Sequence, residues 1–137
     1  MFVNKDVTLD LNGCILDASS LSGATYDAVI AVNRGGTLTV NGPGNIAGSD
    51  SVWAAIKLTT PDDGPTGNST KLVINSGDFK GKYYAVTGHG ERHNTEVIIN
   101  GGTFEGTTVN DSAAIFHPQD GIMTINGGTF IGANSVF

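Results

Sequence analysis

Thr124-Ile125-Asn126-Gly127-Gly128-Thr129-Phe130-Ile131-Gly132 is the clearest copy of a phrase that the chain repeats. It recurs as Ile98-Ile99-Asn100-Gly101-Gly102-Thr103-Phe104-Glu105-Gly106 and, more loosely, as Val73-Ile74-Asn75-Ser76-Gly77-Asp78-Phe79-Lys80-Gly81. Two shorter copies are Leu38-Thr39-Val40-Asn41-Gly42 and Leu9-Asp10-Leu11-Asn12-Gly13. Aligned on the asparagine, the copies stand at Asn12, Asn41, Asn75, Asn100 and Asn126, with steps of 25 to 34 residues. A period in this range marks a solenoid, a propeller or an array.

The residues three and one before each asparagine are apolar: Leu9 and Leu11, Leu38 and Val40, Leu72 and Ile74, Val97 and Ile99, Met123 and Ile125. Such period-two alternation predicts a short strand with one face inward. Four residues after the asparagine a bulky apolar residue returns at Leu16, Phe79, Phe104 and Phe130, and one place late at Ile46, where Pro43-Gly44 adds a residue. The strand therefore resumes after a corner. A second family of strands is expected at Ala28–Val32, Ala54–Leu58, Tyr84–Thr87 and Ala113–Phe116.

No unit holds ten residues of helical periodicity, which excludes βαβ and helical repeats, and a propeller blade needs a longer period. What remains is a coil in which each repeat is one turn and equivalent strands pair in parallel. Asn-Gly alone also fits a hairpin turn, so a β-meander is the competing architecture. Five copies with apolar ladders on both sides favour the coil. The expected ladders are Leu9/Leu38/Leu72/Val97/Met123 and Leu16/Ile46/Phe79/Phe104/Phe130. The asparagines are expected to hold the bend by bonding backbone and to bond one another along the axis.

At 137 residues, with 20 glycines and 15% charged residues, the chain reads as one β domain over 1–137. A net charge of -6 argues against a nucleic-acid partner. No stretch is apolar for long enough to span a bilayer, and Met1–Asp6 lacks the pattern of a signal peptide. Cys14 is the single cysteine, so no internal disulfide and no thiolate zinc site is expected, and it reads as a small buried hydrophobe.

The phrase Ile-Asn-Gly-Gly-Thr-Phe, with Val7–Gly13 and Gly36–Gly42, resembles the right-handed parallel β-helix of the pectate-lyase-like superfamily over nearly the whole chain. More narrowly it is similar to glycine-rich coils of phage structural proteins and gut-bacterial surface proteins. The resemblance implies an all-β, right-handed parallel β-helix of about five coils. It implies lyases, hydrolases, tailspikes, adhesins and inert spacers alike as functions.

Three polar excursions, Thr59–Ser69, Gly88–Asn94 and Pro118–Gly121, follow the second strand family and are expected to gather on one rim. Gly88-His89-Gly90 resembles the histidine element of polygalacturonases, but the Asn-Thr-Asp and Arg-Ile-Lys elements are missing and Asp62-Asp63 sits between prolines. Asp10, Asp78 and Glu105 fall at different offsets from the asparagine and do not form a calcium set. A catalytic centre, a metal and a cofactor are therefore not expected. Trp53, Asp62, Asp63, Tyr83, His89, Arg92, His93 and His117 are the candidate binding residues of the rim. Trp53, Tyr83 and Tyr84 suit stacking on a sugar or a partner protein, although core packing is the expectation for Trp53.

Solenoid ends expose unpaired strands unless something covers them. The expected function is thus a non-catalytic structural or attachment module on a virion or extracellular surface. Its partner would be a phage capsid or tail assembly, or another copy joined through the coil ends. A polysaccharide-binding or polysaccharide-degrading β-helix and a bacterial adhesin fragment are the alternatives, and neither nucleic acid nor membrane is a partner.

Overall fold

The structure is a computed structural model and describes residues 1–18, 20–21, 26–33, 35–59, 69–88, 94–118 and 120–137. The chain runs as β1 (Phe2–Val3), β2 (Val7–Asp10), β3 (Ile15–Asp17), β4 (Tyr26–Val32), β5 (Thr37–Asn41), β6 (Asn45–Ala47), β7 (Val52–Leu58), β8 (Thr70–Ile74), β9 (Asp78–Gly81), β10 (Tyr84–Thr87), β11 (Thr95–Ile99), β12 (Thr103–Gly106), β13 (Ala113–Phe116), β14 (Gly121–Ile125) and β15 (Thr129–Gly132). Every third strand belongs to the same sheet, and each of the three sheets has five strands. All of their pairings are parallel, each strand bonding its counterpart one coil away. The result is a parallel β-helix of about four turns from first to last strand, and no helix occurs among the described residues. The second strand family forms one wall, β1-β4-β7-β10-β13; the asparagine phrases form the other two.

Parallel register turns the repeat into columns. Val7, Leu38, Leu72, Val97 and Met123 make one inward column, and Leu9, Val40, Ile74, Ile99 and Ile125 the next. In the central coils these side chains are fully buried. Leu16, Ile46, Phe79, Phe104 and Phe130 form the expected third column. Its phenylalanines stack with ring centroids 5.1 Å apart and planes within 10°, close to the roughly 4.8 Å between strands.

The first coil differs from the expectation. Asp10, not Asn12, stands opposite Asn41, and the first two columns begin at Val7 and Leu9 instead of Leu9 and Leu11. Asn12 and Gly13 have φ of 49° and 79°, and the Cys14 N–H donates to the Leu11 carbonyl at 2.8 Å. Positive φ at both central residues is what a type I′ turn requires, and Asn-Gly supplies it. Here Asn-Gly is a tight turn in its own right, so Asn12 leaves the ladder. Cys14, expected to be buried, is exposed.

The corners explain the remaining glycines. After Asn100 the chain turns through Gly102 at φ 115°, and a Cβ there would lie 2.7 Å from the Gly77 carbonyl of the coil below. After Phe104 it turns at Gly106, where a Cβ would meet the Ala113 and Tyr83 carbonyls at 2.5 Å.

Candidate functional site

Outside the core, the strands carry two ordered surface features. The first is the amide ladder. Asn126 Nδ2 donates to Asn100 Oδ1, Asn100 to Asn75 and Asn75 to Asn41, each at 2.8 Å, and Asn41 Nδ2 donates to Asp10 Oδ1 at 2.6 Å. All donors point toward the N-terminal coil, and the run ends on a carboxylate, a stronger acceptor than an amide. Ion pairs cross between coils in the same way, Lys71 with Glu96 at 2.9 Å and Lys80 with Glu105 at 3.1 Å.

The second feature is a strip of rings on the wall β1-β4-β7-β10-β13. Trp53 is 46% exposed, which corrects the expectation of core packing. Its neighbours in the strand, Val52 and Ala54, take the buried positions. The Tyr83 N–H donates to the Trp53 carbonyl at 2.9 Å, so consecutive coils present these two rings side by side. The rings meet edge to face at 5.7 Å. Tyr83 lies 6.2 Å from Tyr84, and Tyr84 stacks on the exposed Phe116 at 5.1 Å. Four rings thus touch in sequence across three coils. Lys82 Nζ sits 5.3 Å from the Tyr83 centroid and donates to the Asp50 carbonyl at 3.1 Å. The Tyr84 phenol is pushed up from its ordinary value by burial first, then by the Asp111 carboxylate and by Tyr83.

The excursions leave from one junction, between β7 and β8, β10 and β11, and β13 and β14, as their order in the two walls requires. Asp62, Asp63, His89, Arg92 and His93 lie outside the described residues. Among the described ones, Ser69, Asn94, Thr95, Glu96 and Asp120 line a polar cleft of about 410 Å³. His117 is half-buried beside it. Its Nε2 lies 3.1 Å from the Thr95 hydroxyl, which donates to the Asp120 carbonyl at 3.2 Å, so the imidazole is assigned the Nε2–H tautomer as donor. Burial lowers its pKa. His117 serves the junction, while the adjacent Phe116 serves the ring strip.

Of the residues expected to stack, the structure joins Trp53, Tyr83 and Tyr84, adding Phe116 and Lys82. Phe116 was missed because Ala113-Ala114-Ile115-Phe116 reads as a uniformly buried run; its stacking partner sits one coil back. An apolar groove of about 720 Å³ lies near the N-terminal end, with Phe2, Leu16, Leu21 and Val29 in its walls. No group of three or more metal-ligating side chains occurs among the described residues. Comparison with family models, with curated proteins and with solved structures finds no significant match to this chain.

Proposed function

We propose that this chain is a non-catalytic structural or attachment module, a stiff β-solenoid that docks on a larger protein assembly through its aromatic flank. The ring strip Trp53-Tyr83-Tyr84-Phe116 carries the reading. The buried columns and the amide ladder hold the coils together, whereas Trp53 and Phe116, 46% and 42% exposed, leave apolar surface in water. Trp and Tyr are the residues that most often anchor protein interfaces. Lys82 beside Tyr83 adds a cation at the margin of the patch. The resemblance of the repeat phrase to phage structural and bacterial surface coils supplies the setting, a virion or a cell surface.

A second reading, a polysaccharide-binding member of the pectate-lyase-like superfamily, draws on the same strip, because exposed rings also stack on sugar faces. Arrays of virion or cell-surface proteins and of acidic and neutral glycans, probed with the wild-type chain and with Trp53→Ser/Tyr83→Ser, separate the two. Protein capture lost in the double variant supports the attachment module. Glycan capture lost in that variant transfers the strip to the second reading, and cleavage of any polysaccharide overturns the non-catalytic assignment.

A further inference from the structure

The amide ladder has a direction and an end, and both constrain what stacks on the solenoid. Each asparagine uses one N–H along the axis and one oxygen as acceptor, so each interior member donates once and accepts once. Asp10 accepts from Asn41, and an ionised carboxylate has no proton to give in the opposite direction. At the other end the Asn126 amide donates to Asn100, with its oxygen facing the side where a further coil would lie.

We infer that Asp10 is a stop that disfavours head-to-tail addition of a second copy at the N-terminal face, where its carboxylate would meet the Asn126 oxygen. If two copies stacked head to tail, the stretch from one Asp10 to the next would contain five axial contacts but only four asparagine donors. Turning amides over moves the deficit along the ladder without removing it, since one acceptor always faces another. Core columns are uncovered at both ends and favour such stacking: Leu16 is 38% exposed on the first coil, and Ile125 40% and Phe137 63% on the last. Exposed strand edges of this kind join unless something specific opposes them. A carboxylate at the ladder position opposes the asparagine ladder of this chain while still serving Asn41. By the same count, a coil that fits above Asn126 brings a side-chain donor to its oxygen, which Asp10 of another copy does not.

The test is the concentration dependence of association by sedimentation equilibrium, for wild type, Asp10→Asn, Asp10→Ala and Asp10→Asn/Asn126→Ala, with circular dichroism confirming the β fold in each. Asp10→Asn supplies the missing donor, and its association constant is expected to rise about tenfold, the equivalent of one hydrogen bond gained and one repulsion removed. Asp10→Ala removes the repulsion without gaining a donor and is expected to rise less than Asp10→Asn, and the added Asn126→Ala reverses the gain. Equal association of Asp10→Asn and wild type overturns the inference. So does an equal rise in Asp10→Ala, which would make net charge the cause.

Discussion

Phe104 lies parallel to Phe79 with ring centroids 5.1 Å apart, and both side chains are completely buried. Each coil of a solenoid is held by its neighbours, so this central pair bridges the two halves of the stack. Phe104→Ala removes the middle ring and is expected to lower stability by about 3 to 5 kcal/mol. Phe130→Ala, at a partly buried ring of the last coil, is expected to lower it less. Urea unfolding monitored by circular dichroism measures both. Equal losses would mean that the column is not anchored at its centre.

The two glycines of the repeat phrase are not equivalent. Gly102 has φ 115° and faces the Gly77 carbonyl, whereas a Cβ on Gly101 would sit 3.2 Å from the Asn75 carbonyl. The chain already carries Ser76 at the position of Gly101, and its hydroxyl accepts from the Gly42 N–H at 2.9 Å. Gly102→Ala is therefore expected to destabilise by about 1 to 3 kcal/mol, and Gly101→Ser to stay within about 0.5 kcal/mol of wild type. Thermal unfolding of the two variants checks the ranking.

The coil was legible because its signal repeats. Alternation, bulky residues after each corner and a common period all agreed, and each copy corrected the noise in the others. The first coil was misaligned for a specific reason. Val7-Thr8-Leu9-Asp10-Leu11-Asn12 alternates over six residues, and a slip of two keeps every side chain on its face, so alternation alone does not distinguish Asp10 from Asn12 as the ladder residue. Only pairing with Asn41 does. The ring strip was half legible for a related reason: Trp53 and Tyr83 are recognisable as large aromatic residues, but their contact exists only once coils are in register. Asp62, Asp63, His89, Arg92 and His93 stand in the stretches of sequence that break the period, where repetition carries no information.

Asn75 both donates to Asn41 and accepts from Asn100. Asn75→Ala breaks two exposed amide bonds and is expected to lower stability by about 1 to 2 kcal/mol. Asn75→Asp retains the acceptor for Asn100 but turns a carboxylate oxygen toward Asn41 Oδ1. It is expected to be at least as destabilising at neutral pH, although the same residue is accommodated at Asp10. Chemical denaturation of both variants beside wild type measures this, and a neutral Asn75→Asp would show that the ladder has no direction.

His117 is expected to make the protein less stable in acid. Its ring donates from Nε2 to the Thr95 hydroxyl, and burial lowers its pKa below the ordinary 6.5. A histidine depressed in the folded state binds its proton more readily when unfolded. Between its folded pKa and about 6.5 the unfolded chain therefore holds more protons, and stability rises with pH across that window. The contribution is complete above the unfolded value and is lost as pH falls toward the folded one. Wild type is expected to be less stable at pH 5.5 than at pH 7.5, and His117→Gln, which keeps an N–H donor but does not titrate, to show a smaller difference. Urea midpoints at the two pH values measure both. Because His89 and His93 are present in both proteins, the difference between the slopes reports His117 alone, and identical slopes would remove it as the source of the acid sensitivity.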